Sequence, residues 1–372
     1  MGYLGEEIKK LGFGFMRLPM NGEEVDLEQT KKMVDHYMDL GFTYFDTAYV
    51  YMDGKSERAI RDAVVKRYPR EAFQLATKMP IWPIKEYADY QPIFDESLAR
   101  TEAGYFDFYL LHALGKESFQ KSEETGGWKF VQEMKEKGLI KHAGFSFHDS
   151  AEVLDEILTK HPEAEFVQLQ INYADWESEN VQSRKCYEVA RKHGKPVIIM
   201  EPVKGGSLAV MSDELEAKFK SFNPQASVAS WALRYAASLE GLVTVLSGMS
   251  NMEQLEDNTS FMKDFEPINE AEAKVIAEVV EIFNKAPKIP CTACKYCVDD
   301  CPMKINIPRM FSTMNHYMTF GNKEADKKSY ANITKDGGLA SQCLHCGSCE
   351  SHCPQHIEII KELEKIAETF EN

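Results

Sequence analysis

Residues 43–67 read "TYFDTAYVYMDGKSERAIRDAVVKR". The stretch "TYFDTA" (43–48) has the composition of a strand, and "SERAIRDAVVKR" that of a helix which Ser56 can cap. This strand-then-helix unit recurs on both sides. The other strand candidates are "LGFGFM" (11–16), "AFQLATK" (72–78), "FDFYLLH" (106–112), "LIKHAGFS" (139–146), "FVQLQIN" (166–172), "KPVIIME" (195–201) and "LVTVLSG" (242–248). Between them lie amphipathic stretches such as 26–40, where Leu27, Met33, Val34, Tyr37 and Met38 fall near helical spacing and Gly41 stands at the C-cap. Eight alternating units over about 250 residues predict an α/β fold, a parallel (β/α)8 TIM barrel. A doubly wound open sheet is the competitor, but "LGFGFMRLP" lacks the G-x-G-x-x-G spacing expected after its first strand.

Beyond the eighth unit the pattern changes. "NEAEAKVIAEVVEIFNKA" (269–286) reads as one helix, and "PKIP" (287–290) breaks it. The expected organisation is a barrel over 1–268, a linker helix over 269–287 and a small, mostly helical domain over 288–372. In the last of these, "IPRMFSTMNHYMTFG" looks helical after Pro308.

The 372 residues are 44% hydrophobic and 27% charged, enough for a substantial core. The formal charge of −16 argues against a broad basic face for nucleic acid. No run approaches the roughly 18 apolar residues of a membrane span. The start "MGYLGEEIKK" lacks a signal-peptide apolar region and has Glu6 where myristoylation wants Ser or Thr, so a cytoplasmic protein is the expectation.

Eight of the nine cysteines lie in two motifs, "CTACKYCVDDCP" from Cys291 and "CLHCGSCESHCP" from Cys343. Each reads C-x2-C-x2-C-x3-C-P: Cys291, Cys294, Cys297 and Cys301, then Cys343, Cys346, Cys349 and Cys353. This is the bacterial 4Fe–4S run, in which the fourth Cys ligates the other cluster of a pair. A four-Cys zinc site is the alternative; four ligands in each motif, with Pro after the last, favour two 4Fe–4S clusters. By the two-cluster rule Cys353 joins the first three cysteines and Cys301 joins the second three. The motifs resemble those of a two-cluster bacterial ferredoxin, although the 41 residues of 302–342 exceed a compact ferredoxin's link. The ninth, Cys186, reads as a small core residue.

Barrel active sites lie at the C-terminal ends of the strands. Successive strand ends there bring Asp46 with Tyr51 just after it, Lys78, and His112. An acid, a phenol, an ammonium and an imidazole suit carbonyl reduction. Hydride addition leaves an oxyanion that needs a proton; a tyrosine can supply it, and a neighbouring ammonium is expected to lower its pKa from near 10. Asp46 would hold Lys78 charged, and His112 could orient the carbonyl.

The segment from about 10 to 260 resembles the aldo-keto reductase family, through "FDTAYVY", "GKSE", "LATK", "DFYLLH", "GFS", "VQLQINY", "EPVKGGSLA" and "GMSNMEQLEDN". The resemblance implies a catalytic tetrad of Asp46, Tyr51, Lys78 and His112, with Tyr51 as proton donor. It also implies a nicotinamide cofactor bound without a Rossmann fold. Ser146 and Gln168 match its carboxamide positions, and Asp257 and Asn258 its adenine end. Met200, followed by Pro202, stands where many members stack a Tyr, and Lys204 is placed to meet a phosphate. Gly248 and Gln254 replace the Lys and Arg of many NADPH-specific members, which leaves NADPH and NADH both open. The implied function is a nicotinamide-dependent reductase of a small carbonyl substrate, or the reverse alcohol oxidation. The alternatives are an enzyme whose clusters exchange electrons with a redox protein partner, and a non-catalytic sensing module. No flavin motif is present, although a flavin would join two-electron to one-electron chemistry. Trp82, Trp128 and Trp176 are candidates either to line a substrate pocket or to pack loops, and the cysteine region is placed to cover the barrel mouth.

Overall fold

The computed structural model describes residues 2–285, 288–320, 323–335 and 337–371. Eight parallel strands close into a barrel: β1 (Leu11–Gly14), β2 (Tyr44–Asp46), β3 (Gln74–Pro80), β4 (Phe106–Leu114), β5 (Ile140–Phe147), β6 (Phe166–Gln170), β7 (Val197–Met200) and β8 (Leu242–Gly248). Each pairs with its sequence neighbours, and β1 closes on β8 through Leu11↔Val245 and Gly14↔Gly248. All eight expected strands are present, each within a few residues of its expected bounds. The competing open sheet is excluded by closure.

Side chains from alternate positions fill the barrel interior, among them Tyr44, Phe108, Phe166, Ile198 and Val243. Gly144 makes room for one of these: a Cβ there would lie 2.4 Å from the Phe166 carbonyl oxygen and 2.9 Å from its ring. The larger apolar layer lies between strands and outer helices. Helix Leu27–Asp39 contributes Met33, Val34 and Tyr37 to it, and Asp26 caps the helix through Gln29 N at 3.0 Å. Cys186 is buried in the same layer, as a core residue should be.

Ser56 does not cap its helix. The helix Lys55–Ile60 begins one residue earlier, after Gly54 at φ +75°. That turns Ser56 inward, where its Oγ donates to the Phe15 carbonyl (2.8 Å) and meets Thr47 Oγ1 (2.6 Å).

The helix Glu270–Lys285 lies against the outside of the barrel rather than free in solvent. Ile276, Val279 and Phe283 pack with Phe219 and Trp231 of the barrel helices, and Glu272 forms a two-bond ion pair with Arg234 (2.7 and 3.0 Å). Positions 286 and 287 of the expected linker lie outside the described residues. The cysteine region then forms a second core from Ile305, Ile307, Met310, Phe311, Leu363, Ile366 and Phe370. Its main helices are Ile307–Phe320, Lys323–Ile333 and Ile359–Phe370, and among the described residues it contains no strand.

Candidate active site

The barrel's C-terminal end gathers Asp46 from the end of β2, Tyr51 from the turn after it, Lys78 from β3 and His112 from β4. All four are buried: 3%, 9%, 0% and 2% exposed. Lys78 Nζ donates to Asp46 Oδ1 (2.6 Å) and to the Thr47 carbonyl (2.7 Å), and lies 3.4 Å from Tyr51 Oη. The His112 ring stands edge-on to the Tyr51 ring, 5.8 Å away. Local backbone aims His112: the register slips between Leu111 and Leu114, and Ala113 takes φ +54°, rare for a residue with a Cβ. Ser146 Oγ satisfies the exposed Ala113 N–H at 2.8 Å.

Burial pushes the Asp46 carboxyl up and the Lys78 ammonium down, while their short contact draws each back toward the charged form. Burial also holds His112 well below the ordinary imidazole value, aided by Lys78 and His148, so its ring is neutral. The expectation that Lys78 lowers the Tyr51 phenol is not met. Burial raises Tyr51 well above 10, and the neighbouring Tyr296 and Asp46 add to it. Desolvation of a phenolate in this closed site outweighs an ammonium that is already neutralised by Asp46.

Among the described residues, three buried atoms here have no hydrogen-bond partner: Asp46 Oδ2, His112 Nδ1 and Gln168 Oε1. Gln168 lies beside Ser146 in register, and its amide donates to the Met200 sulfur at 3.3 Å. An orphaned amide oxygen next to a serine fits the carboxamide of a nicotinamide. The structure therefore brings Ser146, Gln168 and Met200 together at the ends of β5, β6 and β7. Asp257 and Asn258 lie on helix Met252–Met262 beside the end of β8, with Asn258 Nδ2 donating to Ser247 Oγ at 3.1 Å. Gln254 is exposed on the same helix, and its Oε1 accepts from Ser250 N (2.8 Å). Gly248 is exposed beneath the Arg17 side chain. Pro202 is buried. Lys204 is buried and ion-paired to both oxygens of Asp175, at 2.5 and 2.6 Å.

Of the three tryptophans, Trp82 reaches the mouth, 5.4 Å from the His112 ring and 40% exposed. Trp128 stacks on His161 and Trp176 packs on Tyr187 and Tyr235, away from the tetrad.

The cysteine region covers this mouth. Thr292 accepts from Arg17 Nη2 through its carbonyl (2.7 Å), and Gln355 and Gln170 exchange amide hydrogen bonds of 2.7 and 3.1 Å. Tyr296, between Cys294 and Cys297, points into the site: its Oη lies 3.3 Å from His112 Nε2, and its hydroxyl adds to the rise of the Tyr51 phenol. Sequence reading missed Arg17, Gln355 and Tyr296, the last lying inside the first cysteine motif without being one of its cysteines. Arg17 follows an apolar strand as a lone charge, which is the one signal that could have drawn notice.

The eight motif cysteines line two cavities. Cys291, Cys294, Cys297 and Cys353 line one, and Cys301, Cys343, Cys346 and Cys349 the other. Each space is thus lined by the first three cysteines of one motif and the fourth of the other. Among the described residues the thiols surround these spaces and do not converge on the point a single ion would need. The two loops repeat one backbone pattern. Ala293 and Lys295 in the first motif, and His345 and Gly347 in the second, all take positive φ, as do Lys304 and His356 after the two prolines. Such alternation turns backbone N–H groups toward a common centre, and Ala293 N donates to Cys291 Sγ at 3.4 Å. Burial pushes the Cys294 thiol up to about 12 and Cys349 up to about 11. Crowded, desolvated sulfurs of this kind suit bound iron, whose charge would hold them as thiolates.

A family model described as "Aldo/keto reductase family" matches residues 10–281, and one described as "4Fe-4S dicluster domain" matches residues 290–358. Among curated proteins the chain is 26% identical over 279 residues to the uncharacterized oxidoreductase YqkF of Bacillus subtilis, covering 68% of this chain and 86% of that one. Two solved structures share the fold. One is an aldo-keto reductase from Klebsiella pneumoniae in complex with NADPH (20% identity, TM-score 0.58, covering 74% and 93%). The other is the holo form of an aldo-keto reductase from Bacillus halodurans (24% identity, TM-score 0.60, covering 75% and 95%).

Proposed function

The chain belongs to the aldo/keto reductase family, with a 4Fe-4S dicluster domain after its barrel, and from that premise we propose that it reduces a small carbonyl compound with a nicotinamide cofactor, Tyr51 delivering the proton. The observation that carries this reading is the buried chain Asp46–Lys78–Tyr51 with neutral His112 beside it. A bound nicotinamide would supply the hydride. Ser146 and Gln168 would hold its carboxamide. Asp257 and Asn258 would meet the adenine end. NADPH is the first cofactor to try, since the Klebsiella relative binds it. Tyr51 Oη and His112 Nε2 would both bond the carbonyl oxygen, and Tyr51 would pass its proton there as negative charge develops. Lys78, held by Asp46, would keep the Tyr51 hydroxyl in position for that transfer.

The two thiol sets support two 4Fe–4S clusters, each of which would supply one-electron transfer. One observation favours a second reading, in which those clusters exchange electrons with the barrel site and a redox protein partner. The loop carrying Cys291, Cys294 and Cys297 also carries Tyr296, which touches His112. An anaerobic titration with NADPH separates the two. Nicotinamide binding with unchanged cluster absorbance supports the first reading. Bleaching of the clusters by NADPH alone supports the second and calls for a search for a bound flavin. Absence of binding of both NADPH and NADH to iron-replete protein sinks the reductase reading.

A further inference from the structure

The tetrad is sealed by a residue that belongs to the iron–sulfur region. Tyr296 Oη sits 3.3 Å from His112 Nε2 and close enough to the Tyr51 hydroxyl to help push that phenol's pKa up. Those are the two groups that would bind a carbonyl oxygen, so a phenolic oxygen stands where the reacting oxygen would stand. The Tyr296 ring crosses the His112 ring edge-on at 6.0 Å and lies 6.4 Å from Trp82, completing an aromatic wall around the oxygen site.

The cysteine motif does not itself require a tyrosine here. The two loops repeat the same backbone, and Ser348 holds the equivalent place in the second, between Cys346 and Cys349. Both residues open a short helix after a left-handed residue, Lys295 or Gly347. The first loop faces the tetrad. Its position is fixed independently by Arg17 on the Thr292 carbonyl and by Gly205, where a Cβ would come within 2.6 Å of that carbonyl.

We propose that Tyr296 is a gate that mimics the substrate oxygen: a carbonyl compound enters by displacing its hydroxyl from Tyr51 and His112, and Tyr296 with Trp82 then forms the outer wall that selects the substrate. The proposal rests on the reading of Tyr51 and His112 as the oxygen-binding pair. It places a specificity-determining residue of the barrel chemistry in the iron–sulfur region, on the loop that Cys294 and Cys297 hold in place.

The test titrates sodium acetate by calorimetry into anaerobically prepared, iron-loaded full-length protein, with and without NADPH. A carboxylate oxygen uses the same two donors as a carbonyl oxygen. Tyr296→Ala, which opens the space, is expected to bind acetate about tenfold more tightly than the wild type. Tyr296→Phe, which keeps the packing and removes the hydroxyl, is expected to gain about threefold. Adding Tyr51→Phe to either variant is expected to abolish the gain. If Tyr296→Ala loses its iron, Tyr296→Phe decides. Affinities equal to the wild type overturn the proposal, as does a gain that survives Tyr51→Phe, since acetate would then sit elsewhere. The reductase reading fails separately: a gain in acetate affinity without binding of either NADPH or NADH keeps the gate and removes the nicotinamide. NADPH-dependent turnover with unchanged acetate affinity does the reverse.

Discussion

Lys78 is a cation that water does not reach, 0% exposed and held by one carboxylate and one carbonyl. Removing it strands Asp46, whose second oxygen already lacks a partner. Lys78→Met is therefore expected to cost about 3–5 kcal/mol of stability, measured by anaerobic urea unfolding, as well as activity. The pH profile follows from the two groups beside it. Carbonyl reduction needs Tyr51 protonated, a form present below its pKa, and that pKa is raised from 10. It also uses neutral His112, a form present above its pKa, which is lowered from 6.5. The rate of reduction is thus expected to show no limb from either group between pH 6.5 and 10. A limb near 6.5 that disappears in His112→Gln would contradict the buried, neutral ring. The tetrad was legible in the sequence because its members follow strand ends in order. Tyr296 was not, because its partner His112 lies 184 residues away and no local pattern links them.

The repeated cysteine loops set the expectations for elements. Cys353 shares a cavity with Cys291, Cys294 and Cys297, and Cys301 shares one with the second motif. Cys353→Ser and Cys291→Ser should therefore disturb the same cluster signal in electron paramagnetic resonance, and Cys301→Ser and Cys343→Ser the other. Grouping by motif instead would refute the exchange. The joint between loop and barrel is tight at Gly205, which takes φ +64° against Thr292. Gly205→Ala is expected to push the loop away and speed hydrogen exchange at the ends of β3 and β4, with iron content retained; unchanged protection would mean that the contact carries little. Strand positions could be read from the sequence since their apolar runs are bounded by turns and helices. The helix after Gly54 began a residue early and turned Ser56 inward, which capping preference alone could not foresee: burial against Phe15 and Thr47 overrides the local signal. The link 302–342 was legible as helical in part but not in its packing, since its core is shared with the final helix Ile359–Phe370.

At the scale of the molecule, a closed barrel supplies the chemistry and a helical cysteine region covers its mouth. The first thiol set faces the barrel through Tyr296 and Gln355, while the second includes the exposed Cys346 beside Leu344, 62% exposed. None of the helices, among the described residues, is long and apolar enough to cross a membrane. The sequence marked two parts and a boundary, yet the contact between them rests on single side chains and a glycine that no composition reveals. Fully loaded protein should carry about eight irons per chain, four for each thiol set. The central claim is that Tyr51 delivers the proton in a nicotinamide-dependent reduction. The most direct measurement is the anaerobic rate of NADPH oxidation against a panel of simple aldehydes, in iron-replete wild type and Tyr51→Phe, with NADPH affinity measured alongside. The account predicts turnover by the wild type and a loss of about 100-fold or more in Tyr51→Phe, at unchanged NADPH affinity. Equal rates in the two proteins would contradict it.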